Sequence, residues 1–276
     1  LGYRSHPYGG GQGIYIKYMS KALVEAGHQV DVISGQPYPQ LDPRVKLIKM
    51  PGLNLFENGL GSLRPHHLAS MTNIIEWTGK LTGAFSEPHC FGRRVLKYLG
   101  KNGRHYDIIH DNQCLSWGML ALQERGFPLV TTIHHPITSD LDIALKAASN
   151  WRERLFIRRW HSFLGMQKQV ARSLNNVVTV SERSKEDIAA AFGMQPSAIS
   201  LVYNGIDTSE FSPRPHIERI PFRIMATASA DAPLKGVAYL LQALATLQVE
   251  FPEVSLLIVG KPRPGGETEG LIRRLG

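Results

Sequence analysis

Only two cysteines, Cys90 and Cys114, occur in 276 residues, and no metal-ligand spacing surrounds either. So few thiols fit a reduced, cytoplasmic protein with unpaired, buried cysteines, not a disulfide scaffold. No run of about 18 apolar residues is present, which excludes a membrane-crossing helix. No signal peptide is visible: residues 1–13 are glycine-rich and polar, although an opening Leu1 leaves a cleaved one open. Internal repeats and low-complexity tracts are also lacking. Acidic residues are in deficit, 23 Asp+Glu against 31 Lys+Arg, for a net charge of +8. That excess suits an anionic partner, whether nucleotide, phospholipid surface or nucleic acid. Hydrophobic residues at 43 % allow a sizeable core. The length is too great for one ordinary doubly wound domain and short for two.

What is present alternates between short β-branched apolar runs and helical periodicity, the pattern of an α/β fold with parallel sheets. The pattern predicts strands over 29–33, 45–49, 107–110, 129–133, 176–180, 200–203, 222–226 and 255–259. Helices are predicted over 14–26, 90–101, 116–125, 151–174, 182–192 and 236–251. Pro213, Pro215 and Pro221 stand close together, and prolines this dense cannot continue a helix or a central strand. They place a linker over 208–221, between a first domain over 1–207 and a second over 222–276. The first glycine loop follows Leu1 almost at once, so a strand before it is expected to be missing. Two strand–helix units after 221 cannot cover both faces of a sheet, so the second domain is expected to be incomplete.

Several motifs carry chemistry. Gly9-Gly10-Gly11-Gln12-Gly13 precedes a helix expected to start near Ile14. Glycines let a ligand approach the backbone, and the free N–H groups of a helix start attract an anion. A tight structural turn explains the same residues. A dinucleotide fingerprint with Asp31 as the ribose-binding acid fails, because it requires glycine or alanine at Ile14. His134 and His135 directly follow a predicted strand, where ligands of open α/β sheets bind. One of two adjacent histidines on an extended chain can face a cleft. There it either touches a substrate hydroxyl or is a satisfied structural residue. Asp140-Leu141-Asp142 reads as an acidic loop before a helix; no third oxygen ligand stands nearby, which excludes a metal site.

Residues 151–174 carry Arg152, Arg154, Arg158, Arg159, Lys168 and Arg172 against Glu153 alone, among Trp151, Leu155, Trp160 and Phe163. This is either one long surface helix packing a stripe on the sheet or a patch resting on anionic lipid through Trp151, Arg158 and Arg159. The apolar run Met71–Phe85 is either an acceptor-side helix or core. Lys235-Gly236 opens a strong helical pattern, where a lysine and free N–H groups can hold one phosphate together.

The order of these pieces resembles family-4 retaining glycosyltransferases, whose GT-B fold has two Rossmann-like domains facing a cleft. Gly10-Gly11-Gln12-Gly13-Ile14-Tyr15 resembles that family's first glycine loop. Ala26-Gly27-His28-Gln29-Val30 resembles its turn into the next strand. Asp107-Ile108-Ile109-His110, Thr132-Ile133-His134 and Val178-Thr179-Val180-Ser181-Glu182 resemble later strand ends. Tyr203-Asn204-Gly205-Ile206-Asp207 with Phe211 and Pro213 resembles the entry to the linker, and Lys235-Gly236 with Ile258-Val259-Gly260 the start of the donor domain.

The resemblance implies transfer of a sugar from a UDP- or GDP-sugar to a glycan, lipid or small-molecule acceptor, with retention and without a bound metal or other cofactor. It places His134 beside the reacting sugar. Gly10, Gly11, Gln12, Gly13, Lys235 and Gly236 then face the diphosphate, and Asn112 and His135 the acceptor side. No nucleic-acid partner is expected; the location is expected to be cytoplasmic, with peripheral contact on the inner face of a membrane as the alternative that the basic segment 151–174 offers. Two departures stand out. The family's arginine five positions before the lysine is Ala230 here. Its glutamate pair, later in the donor domain, lies beyond Gly276, so residues 1–276 alone are expected to transfer sugar poorly. A GT-B sugar-nucleotide epimerase and a non-catalytic nucleotide-sugar or glycan-binding protein remain alternatives; a dehydrogenase is disfavoured by the broken fingerprint.

Overall fold

The computed structural model describes residues 1–8, 10–102, 105–227, 236–260 and 264–275. The chain divides into two compact units, Leu1–Asp207 and Thr208–Gly276. In chain order the first unit holds α1 (Gly11–Glu25), β1 (Asp31–Ser34), β2 (Lys46–Lys49), α2 (Leu55–Asn58), α3 (Met71–Leu81), α4 (Glu87–Asn102) and β3 (Ile109–Asn112). There follow α5 (Trp117–Glu124), β4 (Leu129–Thr132), α6 (Thr138–Ala147), α7 (Trp151–Trp160), α8 (Phe163–Ser173), β5 (Val177–Thr179), α9 (Glu182–Phe192) and β6 (Ile199–Leu201).

Among the described residues every strand pairing is parallel: β1 with β2, and β3, β4, β5 and β6 in that order. Parallel strands are covered on both faces, which is why Ile33, Ile109, Leu129, Ile133, Val177 and Ile199 are buried together with Val95, Leu99, Met119, Leu122, Val170, Ile188 and Phe192 of α4, α5, α8 and α9. Ile16 of α1 caps a second cluster with Val32 and Val45.

Leu1 and Gly2 join the two strand groups into one sheet. Gly2 donates to the Ile33 carbonyl at 3.0 Å and accepts from Gly35 N–H at 2.9 Å, while Leu1 donates to the His110 carbonyl at 2.6 Å and accepts from Asn112 N–H at 3.0 Å. The position of a central strand is thus taken by these two residues. Toward the strand starts, β1 and β3 part around a cavity of about 640 Å³ lined by Tyr15, Met19, Val32, Leu99 and Ile108.

The expected strands all form, with ends shifted by at most two residues. Three helical expectations need correction. The segment 151–174 is two helices broken at His161–Ser162. The first half, α7, buries no residue, whereas α8 buries Phe163, Leu164, Gln167, Val170 and Ala171. One straight axis cannot serve a solvated half and a core half, so the chain turns; the Ile157 carbonyl accepts from His161 N–H, and the His161 ring Nδ1 lies 2.8 Å from the same oxygen. Asp140 and Asp142 lie inside α6, not in a loop, with Asp140 in its first turn, where a carboxylate favours a helix. Finally, α1 begins at Gly11, so Gln12 and Gly13 are its first turn and not a preceding loop.

The second unit pairs β7 (Arg223–Thr227) with β8 (Ser255–Val259) in parallel and adds α10 (Val237–Glu250) and α11 (Glu267–Leu275). Alternation decides its faces: Leu256 and Ile258 pack on Val237, Leu241 and Leu271, while Met225, Leu257 and Val259 are exposed. At the start of the second unit, residues 208–222 hold turns without helix or strand.

Candidate functional site

The carboxyl ends of β3 and β4 meet the first turn of α1. Gly10 caps α1 at φ +81°, a conformation that suits glycine, and no side chain caps the helix start. A Cβ on Gly13 would stand 2.1 Å from the His6 carbonyl oxygen, so only glycine lets the helix pass that segment. Among the described residues no side chain caps the N–H groups of this first turn, in which Gly11 is exposed and Gly13 buried.

After β3 the chain makes a tight turn in which Gln113 and Leu115 adopt φ +54° and +50°. Left-handed backbone at a residue with a side chain costs about 1–2 kcal/mol. The Asp111 carboxylate offsets part of that by accepting from Cys114 N–H and Leu115 N–H, each at 3.2 Å. Burial lifts the Asp111 carboxyl to about 6, against the pull of these two donors. The turn aims the Gln113 amide at the loop after β4. Its Nε2 donates to the His135 carbonyl at 2.8 Å and its Oε1 accepts from His134 N–H at 2.8 Å.

His134 is held at its ring as well. Its Nε2 lies 2.6 Å from Asn112 Oδ1, and Asn112 Nδ2 donates to the Gln12 carbonyl at 3.2 Å. The Tyr15 ring stands edge-on, with centroids 4.7 Å apart at 79°. Next to it, His110 Nε2 lies 2.7 Å from Thr132 Oγ1. Burial pushes both histidines down to about 4, with His134 adding to the effect on His110 and His135 to that on His134. At neutral pH both rings are uncharged and act as hydrogen-bonding groups, not cations. The cluster can thus bind hydroxyls and orient a polar ligand near the α1 start.

The expected site residues fall into three groups. Gly10, Gly11, Gln12, Gly13, Asn112 and His134 come together. His135 is exposed and reaches the cluster through its carbonyl. Gly236 lies in the second unit, at the left-handed start of α10 with φ +67°; Lys235 and Ala230 lie outside the described residues. Sequence reasoning gave no role to Tyr15, His110, Thr132 or Gln113. Tyr15 was in sight, one turn beyond the glycines, whereas nothing local marks Gln113. Among the described residues no three His, Cys, Asp or Glu side chains gather as metal ligands. The 640 Å³ cavity opens between the starts of β1 and β3 and reaches the cluster at Tyr15, His110 and Asn112.

Comparison with known proteins adds the following. The model of Glycosyltransferase Family 4 matches residues 9–210. The MMP alpha-(1→4)-mannosyltransferase of Mycolicibacterium hassiacum is 45 % identical over 279 residues, which cover 100 % of this chain and 67 % of that protein. The phosphatidyl-myo-inositol mannosyltransferase of Mycolicibacterium smegmatis is 25 % identical, covering 97 % of this chain and 61 % of its own length. The chain thus spans about two thirds or less of these curated relatives. In structure it resembles WaaG, a glycosyltransferase involved in lipopolysaccharide biosynthesis, with a TM-score of 0.62 at 16 % identity, covering 99 % of this chain and 66 % of that one. That likeness fixes the fold as GT-B.

Proposed function

The chain belongs to glycosyltransferase family 4, and from that premise we propose that its protein moves a mannosyl unit from a GDP- or UDP-sugar to a hydroxyl of a glycan or lipid-linked acceptor, with retention and without a bound metal. The observation that carries the reading is the cluster of His134, Asn112 and Tyr15 beside the uncapped start of α1. The mannosyl unit follows the 45 % identical relative. In this reading the N–H groups at Gly11–Gly13 and the Lys235 ammonium stabilise the departing diphosphate, with Gly236 beside that lysine. Such stabilisation acts where charge develops, so it lowers the barrier rather than only tightening binding. Neutral His134 contacts the reacting sugar as a hydrogen-bonding group. His135, exposed, faces the acceptor.

The test is nucleoside diphosphate release by the full protein across GDP- and UDP-sugars, with and without oligosaccharide or lipid acceptors, and with EDTA. Acceptor-dependent release from a mannosyl donor, unaffected by EDTA and lowered at least about tenfold by His134→Ala, is expected. Release or epimerisation without acceptor, or donor binding without turnover, refutes transfer.

Helix α7 supports a peripheral contact with an anionic membrane on its cytoplasmic side. Trp151, Leu155 and Phe156 are exposed beside Arg152, Arg158 and Arg159, and aromatic and basic side chains together favour the lipid interface. Among the described residues no helix is long and apolar enough to cross a membrane. Flotation with phosphatidylglycerol vesicles tests this: retained binding after Arg158→Glu with Arg159→Glu removes the idea.

A further inference from the structure

The hydrogen bonds around Asn112 form a directed relay. The Gln12 carbonyl can only accept, so the Asn112 group 3.2 Å from it must be the Nδ2 amide. Reversing the Asn112 amide would set two oxygens against each other at that distance. The amide oxygen is therefore fixed on the side of His134, whose Nε2 lies 2.6 Å away. An amide oxygen can only accept, so that ring nitrogen must carry a hydrogen. With the ring neutral, the other nitrogen, Nδ1, then carries none.

The ring has little freedom to escape this arrangement. The Gln113 amide pins the main chain of His134 from the turn just after β3, and Tyr15 closes one side of the ring. Rotating the ring by half a turn would replace Nε2 with carbon at Asn112 and leave the amide oxygen of a buried residue without its donor. Among the described residues Nδ1 of His134 has no hydrogen-bond partner.

We infer that Asn112 is a positioning residue that holds His134 as the Nε2-protonated tautomer, leaving Nδ1 as an acceptor for a substrate hydroxyl. The start of α1 thereby sets the polarity of His134: the carbonyl of Gln12 orients Asn112, and Asn112 orients the proton. His134 so held accepts a hydrogen bond and does not donate one to substrate. The substrate-facing part of this inference rests on the proposed glycosyl transfer; the tautomer does not.

Nitrogen-15 NMR of the imidazole rings in residues 1–276, free of ligand, reads the tautomer directly. His134→Gln identifies the His134 signals among those of the 11 histidines. One tautomer, protonated at Nε2, is expected for the wild type. Asn112→Ala should lower the ratio of that form to the other by about tenfold, the factor one such hydrogen bond supports. Asn112→Asp keeps an acceptor facing Nε2 at the cost of a repulsion at the Gln12 carbonyl; at pH 9, where a ring beside a carboxylate is neutral, it should restore the single form, so a fold made unstable by alanine does not leave the question open. An Nδ1-protonated wild type, or an unchanged ratio in Asn112→Ala, overturns the inference. Adding mannosyl donor and acceptor to the full protein then separates the two ideas. A locked tautomer whose signals no sugar moves counts against the proposed function and leaves the positioning role standing.

Discussion

Replacing Gln113 is the most direct way to ask whether the β3 turn builds the site. The side chain is 1 % exposed and makes two hydrogen bonds of 2.8 Å to the main chain of His134 and His135. Gln113→Ala deletes both. A typical buried hydrogen bond contributes about 0.5–1.5 kcal/mol, and stranding a partner costs about 1–3 kcal/mol. Because the exposed His135 carbonyl can turn to water, the loss should be about 2–4 kcal/mol. Gln113→Gly removes the same two bonds but also relieves the left-handed strain at φ +54°, worth about 1 kcal/mol. It should therefore be less damaging than alanine, although glycine gives back some of that gain through a freer unfolded chain. Guanidinium denaturation followed by tryptophan fluorescence suits the measurement, because Trp77, Trp117, Trp151 and Trp160 all lie in Leu1–Asp207. An alanine variant within about 0.5 kcal/mol of wild type, the range of ordinary surface changes, would refute the clamp. A glycine variant less stable than alanine would refute the strain argument.

Lowering the pH should destabilise the first unit. His110 and His134 are pushed down to about 4 from 6.5, so their contribution is full above pH 6.5 and is lost as pH falls toward 4. Asp111, raised to about 6, works the other way and offsets part of the loss. A net drop on the order of 3 kcal/mol between pH 7 and 4.5 is expected in the same denaturation assay, smaller in His134→Gln; an equal or higher midpoint at pH 4.5 contradicts it. Both thiols are buried, with Cys90 pushed up to about 12 and Cys114 raised well above its ordinary value. Ellman's reagent should therefore label neither in the native protein and both in guanidinium; fast native labelling would count against the packing of α4 and the β3 turn. In Gly118→Ala the new Cβ would lie 2.2 Å from the Gly92 carbonyl oxygen, which forces α5 from α4 and should cost about 1–3 kcal/mol. Gly11→Ala, where no atom lies within 4 Å, should change stability by no more than about 0.5 kcal/mol.

Strand positions and the helix pattern were legible because burial on both faces writes short runs such as Val32–Ile33 and Leu129–Ile133 into the sequence. The break between α7 and α8 was not. Residues 151–174 share one composition, and only their surroundings differ, solvent for α7 and core for α8. Asp140 and Asp142 misled for a similar reason, since an acidic first turn and an acidic loop look alike in sequence.

The same division holds at the candidate site. The sequence alone determined that a glycine cluster stands at the start of a helix and that His134 follows a strand, since both follow from local periodicity. The tertiary structure alone decided who meets His134. Asn112 comes from 22 residues away, while Asn112 itself reaches Gln12 across 100 residues. Gln113 reaches His134 only through a left-handed turn that Asp111 holds from beneath. Partners so distant in the chain, set by the direction of one amide and the sign of one dihedral angle, leave no period in a sequence to read.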